Sequence, residues 1–262
     1  MTTNATARAR EYEFTLPVGY QDEQGQTQQQ VVLRKMTGRE EAILADKRNQ
    51  RNGGKLVSDL LSSCILRLGG AGLNGHTGRA VSSMYSVDRN FLLLKLRSIT
   101  FGPELDAAYT CPHCGDVNRM VENLDTLPVR SLEPGQSPDE ISLELEDGYL
   151  DREGQVHTAL KLRLPIGADE EAVAPSMRQN PAEGKNNLLA RCLKSLGDLP
   201  KQRLEAIGPK IIAELTLSDR RKIDKALNQA APGVSLVRQV ECGQCGQTFQ
   251  TSLDLSRFLA ME

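Results

Sequence analysis

The chain has 262 residues, 39% of them hydrophobic and 25% charged, with a formal net charge of −2. That balance allows a sizeable core under a solvated surface, and it lacks the basic excess of a nucleic-acid binder. With 4% aromatic residues and no Trp, the core has to be built from Leu, Ile, Val and Ala.

Met1 to Arg10 carry two arginines with no apolar run behind them, so residues 1–10 read as a flexible tail, neither signal peptide nor membrane anchor. No later stretch approaches the roughly 20 apolar residues of a spanning helix. The expectation is therefore a cytoplasmic chain with no membrane partner. Two alternating strands follow, Glu11–Leu16 and Gln30–Lys35, around a polar turn containing Gly25. Thr37-Gly38-Arg39-Glu40 has capping-box spacing and predicts a helix start. Leu56, Leu60, Leu61, Cys64, Ile65 and Leu68 recur at helical spacing and predict one apolar helix face, with Cys64 in the core. The Gly-rich stretch 69–78, with His76, lacks the Lys-Ser/Thr of a phosphate-binding loop and reads as a flexible loop. A third helix is expected from Val87 to Ile99. After it come a strand, the turn Cys111-Pro112-His113-Cys114-Gly115 and a second strand ending at Leu124-Asp125.

Residues 131–139 form a polar, Pro- and Gly-containing linker. Strands Ile141–Glu146 and Val156–Leu164 come next, with Ile141, Leu143 and Leu145 on one side and His157 expected to face solvent. The acidic run from Glu133 to Glu153 reads as a solvated linker and hairpin face, because it lacks the Gly-centred ligand spacing of a calcium loop. Cys192 is expected in the core, like Cys64. A helix from Ser218 to Gln229 precedes a second turn, Cys242-Gly243-Gln244-Cys245-Gly246, and a closing strand that ends at Leu253-Asp254.

These elements are ordered twice. Gly19-Tyr20-Gln21-Asp22 returns as Gly148-Tyr149-Leu150-Asp151, and Leu33-Arg34 returns as Leu162-Arg163. Glu40-Glu41 matches Asp169-Glu170, Leu60-Leu61 with Cys64 matches Leu188-Leu189 with Cys192, and Asp88-Arg89 matches Asp219-Arg220. The two cysteine turns match last, and the offset stays between 128 and 131 throughout. The expected fold class is α+β and internally duplicated. Residues 11–130 and 140–262 would be two similar repeats, each a β-hairpin, helices and a cysteine-knuckle hairpin, joined by a shared zinc ribbon.

A CxxC pair turns two sulfurs to one side, and two pairs complete a closed tetrahedral thiolate shell. Cys111, Cys114, Cys242 and Cys245 are thus the expected ligands of one structural Zn2+. Some 127 residues separate Cys114 from Cys242, far more than in ordinary ribbons. Loop closure grows only as the logarithm of length, so the extra span costs about 1.6 kcal/mol. Structural zinc contributes on the order of 10–16 kcal/mol in small peptides, and the metal term wins. His113 is then a spacer. A thiol-redox role is the weakest reading, because Gly115-Asp116-Val117-Asn118 is a poor helix start and such sites use a helix N-terminus. A nucleic-acid-binding or transcription-associated ribbon is the competing class, but Arg119, Arg238 and Phe249 stand beside several acids. No nucleophile–base pairing stands out, so the expectation is a protein that is not an enzyme.

The stretch Val31-Val32-Leu33-Arg34-Lys35-Met36-Thr37-Gly38-Arg39-Glu40-Glu41 resembles baseplate proteins of contractile-tailed phages, the group labelled baseplate hub assembly chaperones. Leu164-Pro165-Ile166-Gly167-Ala168-Asp169-Glu170-Glu171-Ala172, Leu188 to Cys192, and the end of the chain near Asp254, Phe258 and Leu259 extend the likeness. The resemblance implies a non-enzymatic structural or assembly component of a contractile tail or phage-tail-like injection system. Its implied partners are baseplate, hub or tube subunits, met in the cytoplasm during assembly or within the particle. The turns around 19–30 and 148–156 and the loop 69–78 are the candidate contact surfaces.

Overall fold

A computed structural model describes residues 11–22, 24–69, 71–72, 77–133, 135–230 and 232–253. The expected tail 1–10, His76, Pro134, Asp254, Phe258 and Leu259 lie outside the described residues. Strand β1 (Tyr12–Gln21) pairs antiparallel with β2 (Thr27–Leu33), and the register shifts between Thr15 and Tyr20. Helix α1 (Gly38–Ala45) starts in the expected capping box, with the Thr37 side chain accepting from the Arg39 N–H and Glu40 reaching back to the Thr37 N–H. A 3-10 turn (Asn49–Arg51) leads to α2 (Gly53–Cys64), whose first turn is capped by Asn52.

The expected apolar helix face stops short: Ile65–Leu68 is strand β3. Its residues pair with β2, Val31 against Leu68 and Leu33 against Ile65. There the sheet ladder satisfies the backbone groups that a longer helix would have paired within itself. Strand β4 (Ala71–Gly72) completes the sheet order β1-β2-β3-β4. Helices α3 (Thr77–Ser83) and α4 (Ser86–Phe101) follow, and α4 buries Phe91, Leu92, Leu93, Leu94 and Leu96. The hairpin β5 (Glu104–Thr110) and β6 (Val117–Asn123), a 3-10 turn (Leu124–Thr126) and β7 (Val129–Arg130) end this half.

In the second half, β8 (Ile141–Leu150) and β9 (Val156–Leu162) form a hairpin whose register shifts between Glu144 and Tyr149. Helices α5 (Gly167–Gln179) and α6 (Pro181–Cys192) lead to β10 (Leu193–Leu196), which pairs with β9. Helices α7 (Lys201–Glu214) and α8 (Leu217–Ala230) come next, then β11 (Gly233–Val234), which pairs with β7 of the first half. The hairpin β12 (Val237–Glu241) and β13 (Thr248–Ser252) closes the described chain. The fold is mixed α+β, with eight α-helices and several small sheets among the described residues. No helix among them is long and apolar enough to cross a membrane.

Two polar devices occur once in each half. At the first bulge, Asp88 accepts the N–H groups of Val18 and Gly19, both at 2.9 Å; at the second, Asp219 accepts those of Glu146, Asp147 and Gly148. Each carboxylate supplies the acceptors that the interrupted ladder lacks. After each hairpin, an arginine grips a buried acid at the start of a helix. Arg34 pairs with Glu40 at 2.8 Å, and Arg163 with Asp169 at 2.6 Å. The Arg34 and Arg163 backbone N–H groups donate to the carbonyls of Cys64 and Cys192, and both thiols are buried as expected.

Burial pushes the Asp88 carboxyl up to about 6, against the two N–H donors that favour its charge. Because the folded-state pKa is raised, the stability tied to this group is full below about 3.8 and is lost as pH rises through about 6. Urea unfolding at pH 4 and pH 7 is expected to show the wild type losing ground relative to Asp88→Asn at the higher pH. A constant difference between the two chains would contradict the assignment.

The halves meet around Arg89, which is fully buried. Its guanidinium donates to Ser58 Oγ at 2.8 Å, to the Val81 carbonyl at 3.0 Å and to the Gly54 carbonyl at 2.9 Å. It also pairs with Glu170 of α5 at 3.2 Å. Glu171 beside it accepts from Ser58 and Ser82, and Asn52 donates to the Glu171 carbonyl. The helices approach closely because Gly54 has no side chain: a Cβ there would lie 2.5 Å from the Glu171 backbone nitrogen.

His157 is buried, not solvent-facing as expected. Its Nε2 lies 3.1 Å from Asp151, whose Oδ1 accepts the N–H groups of Glu153 and Gln155 in the turn. The ring packs against Gly197, where a Cβ would come within 2.7 Å of Nδ1. In the first half Gln28 makes the matching contact to Asp22, at 2.8 Å. The imidazole thus serves as a turn brace.

Candidate metal centre

Both CxxC turns connect the strands of a hairpin, so the element directly after each is a strand, β6 and β13. Thr110 pairs with Val117 across the first turn, and Glu241 with Thr248 across the second. Within them, the N–H of Gly115 donates to the Cys111 carbonyl at 2.9 Å, and that of Gly246 to Cys242 at 2.8 Å. The return bonds run from Cys111 N–H to Asp116 and from Cys242 N–H to Gln247. Gly115 and Gly246 have φ of +78° and +69°, a left-handed conformation that a Cβ would oppose.

The fold brings the four predicted cysteines together. Their sulfurs all lie within 4.8 Å of one another, with Cys111 Sγ 3.8 Å from Cys245 Sγ and Cys114 Sγ 3.6 Å from Cys242 Sγ. A disulfide needs an S–S distance of about 2.05 Å, and all four are free thiols. A tetrahedral ion with metal–sulfur bonds of about 2.3 Å places its ligands about 3.8 Å apart, and the Cys111–Cys245 and Cys114–Cys242 separations match that spacing. Cys111 and Cys242 are buried and Cys114 and Cys245 exposed, which leaves a path for an ion from solvent. The Cys245 N–H, with those of Gln244 and the Asn118 amide, holds the Cys242 thiol down at about 6.

An apolar cluster of Leu94, Tyr109, Leu124, Leu127, Val240, Phe249 and Leu253 underlies the sulfurs. The two hairpins are also tied by polar contacts, since Glu122 on β6 accepts from Tyr109 Oη at 2.8 Å and from Arg238 Nε at 3.1 Å. Arg238 and Phe249, which a nucleic-acid-binding ribbon would present outward, are turned to these internal partners. His113 is exposed, consistent with a spacer. Sequence reasoning passed over Asn118, a polar strand residue four positions after Cys114. Its Oδ1 accepts the Gly243 N–H at 2.9 Å, and its Nδ2 donates to Cys242 Sγ at 3.6 Å.

Away from the sulfurs, a groove of about 780 Å³ opens between α5, α6 and α7. Its rim carries Arg163, Arg191, Lys194 and Lys201, and its floor Leu204 and Val173. Asp169 within it is held by Arg163 and by Arg191 at 3.0 Å, so this carboxylate is committed to the fold.

The sequence profile of a family described as T4 bacteriophage base plate protein matches residues 9–260. No curated protein and no solved structure matches the chain.

Proposed function

The chain belongs to the T4 bacteriophage base plate protein family, and from that membership we propose that it is a non-enzymatic structural or assembly component of a contractile tail or phage-tail-like injection system. The match over nearly the whole chain carries this reading. Its partners are other baseplate, hub or tube subunits, met in the cytoplasm while the tail assembles, and a hub-assembly chaperone is the narrower form of the same role. The exposed hairpin tip supports a contact surface there: Leu150 and Val156 are register partners, 63% and 51% exposed. A tagged chain captured from a lysate in which tails are assembling is expected to bring down baseplate, hub or tube subunits. Capture of the chain alone would count against the role. Finding the chain in purified particles would mark a component, and its absence there an assembly factor.

We further propose that residues 11–130 and 140–262 are copies of one duplicated unit, with 131–139 as the join. The paired bulge carboxylates, the paired arginine–acid clamps and the two cysteine hairpins support that reading, because they recur at the same offset as the sequence matches. Cys111, Cys114, Cys242 and Cys245 are the ligands of one Zn2+ in this proposal, each copy contributing half the site. The sulfur spacing and the all-thiolate donor set favour zinc over harder ions.

A further inference from the structure

Asn118 lies on β6 and reaches across to the opposite cysteine turn. The Gly243 N–H can only donate, so the atom facing it at 2.9 Å has to be the amide oxygen. That fixes the other end of the planar amide: Nδ2 faces Cys242 Sγ at 3.6 Å and also contacts the Tyr109 carbonyl at 3.5 Å. One side chain thereby engages both Cys242 and the residue after it. The matching position in the second turn, four after Cys245, is Phe249, which is buried among apolar residues. The tie therefore runs in one direction, from the first hairpin to the second.

Four thiolates around a divalent ion leave a net charge of about −2 near partly buried sulfurs, and N–H donors to sulfur spread that charge. Partners that orient metal ligands commonly alter affinity by about 10–100-fold. We propose that Asn118 is a positioning residue of the metal centre, fixing the Cys242 sulfur and docking the second cysteine turn on the first. This rests on the reading that the four cysteines hold zinc.

The test uses the full chain as wild type, Asn118→Asp and Asn118→Ala, with Val121→Ala as an exposed control on the same strand. Asn118→Asp keeps the size and the acceptor for Gly243 but loses the donor to sulfur. Zinc release to a competing chelator and the thiolate-to-cobalt absorption of the Co2+-loaded chain are read together. The wild type and Val121→Ala are expected to bind one ion per chain with the same spectrum. Both Asn118 variants are expected to release zinc about 10–100-fold more readily. Their charge-transfer bands are expected to shift to longer wavelength, because a sulfur without its donor gives up charge more easily. Zinc release and spectra equal to wild type in both Asn118 variants would overturn the role of Asn118 while leaving the zinc site standing. A wild-type chain that binds neither ion would overturn the zinc reading and this inference with it.

Discussion

Replacing Cys242 with serine is expected to abolish tight metal binding and to loosen both halves of the chain together. A serine hydroxyl is not a thiolate, and the three remaining sulfurs leave one corner of the shell open. Structural zinc contributes on the order of 10–16 kcal/mol in small peptides, while a whole domain is stable by only about 5–15 kcal/mol. Even a partial loss of the metal term is therefore visible in thermal unfolding. Zinc content and hydrogen exchange in β1–β3 and β8–β10 provide the measurements. Cys64→Ala serves as control, because it empties a buried site without touching the four sulfurs and should keep its zinc. Full zinc content and unchanged exchange in Cys242→Ser would sink the shared site.

Arg89→Met is expected to cost about 3–5 kcal/mol, the usual penalty for breaking a buried ionic network from one side. Methionine fills much of the volume but leaves Glu170 without its cation and removes the guanidinium bonds to the Gly54 and Val81 carbonyls. The matching substitution Arg220→Met falls on a half-buried position and is expected to stay within about 0.5 kcal/mol, as is usual away from such networks. Urea midpoints of the two variants give the comparison. Equal losses would mean that Arg89 does not hold the halves together.

The contrast between these arginines shows where sequence reading stops. Asp88-Arg89 and Asp219-Arg220 are the same dipeptide at matching positions, and the aspartates do the same work at both bulges. The arginines diverge because only Arg89 meets a helix of the other half, and no local pattern encodes that meeting. Local signals were legible: the capping box at Thr37 and each CxxC turn span only four residues. The end of α2 at Cys64 was not, since pairing with β2, some thirty residues earlier, decides it. His157 was misplaced for a similar reason, because Gly197 and Asp151 together enclose its ring. The four cysteines were legible as a set, and their meeting across the chain was inferred correctly. Asn118 was not, as a lone polar residue on a strand carries no signal of the sulfur it will face.

The position of the sulfurs has a mechanical consequence. Consider tension applied at Glu11 and Leu253. With an ion held in the site, the load passes through the first half to Cys111 and Cys114, crosses to Cys242 and Cys245, and leaves along β13. The backbone of the stretch 115–241, with its own sheet and helices α5–α8, is bypassed by that path. Without the ion only the non-covalent ties between the halves, such as Arg89 with Glu170, keep that stretch out of the line of pull, and fully extended it could pay out on the order of 400 Å. One latch of four sulfurs separates a short, stiff link from a long, compliant one.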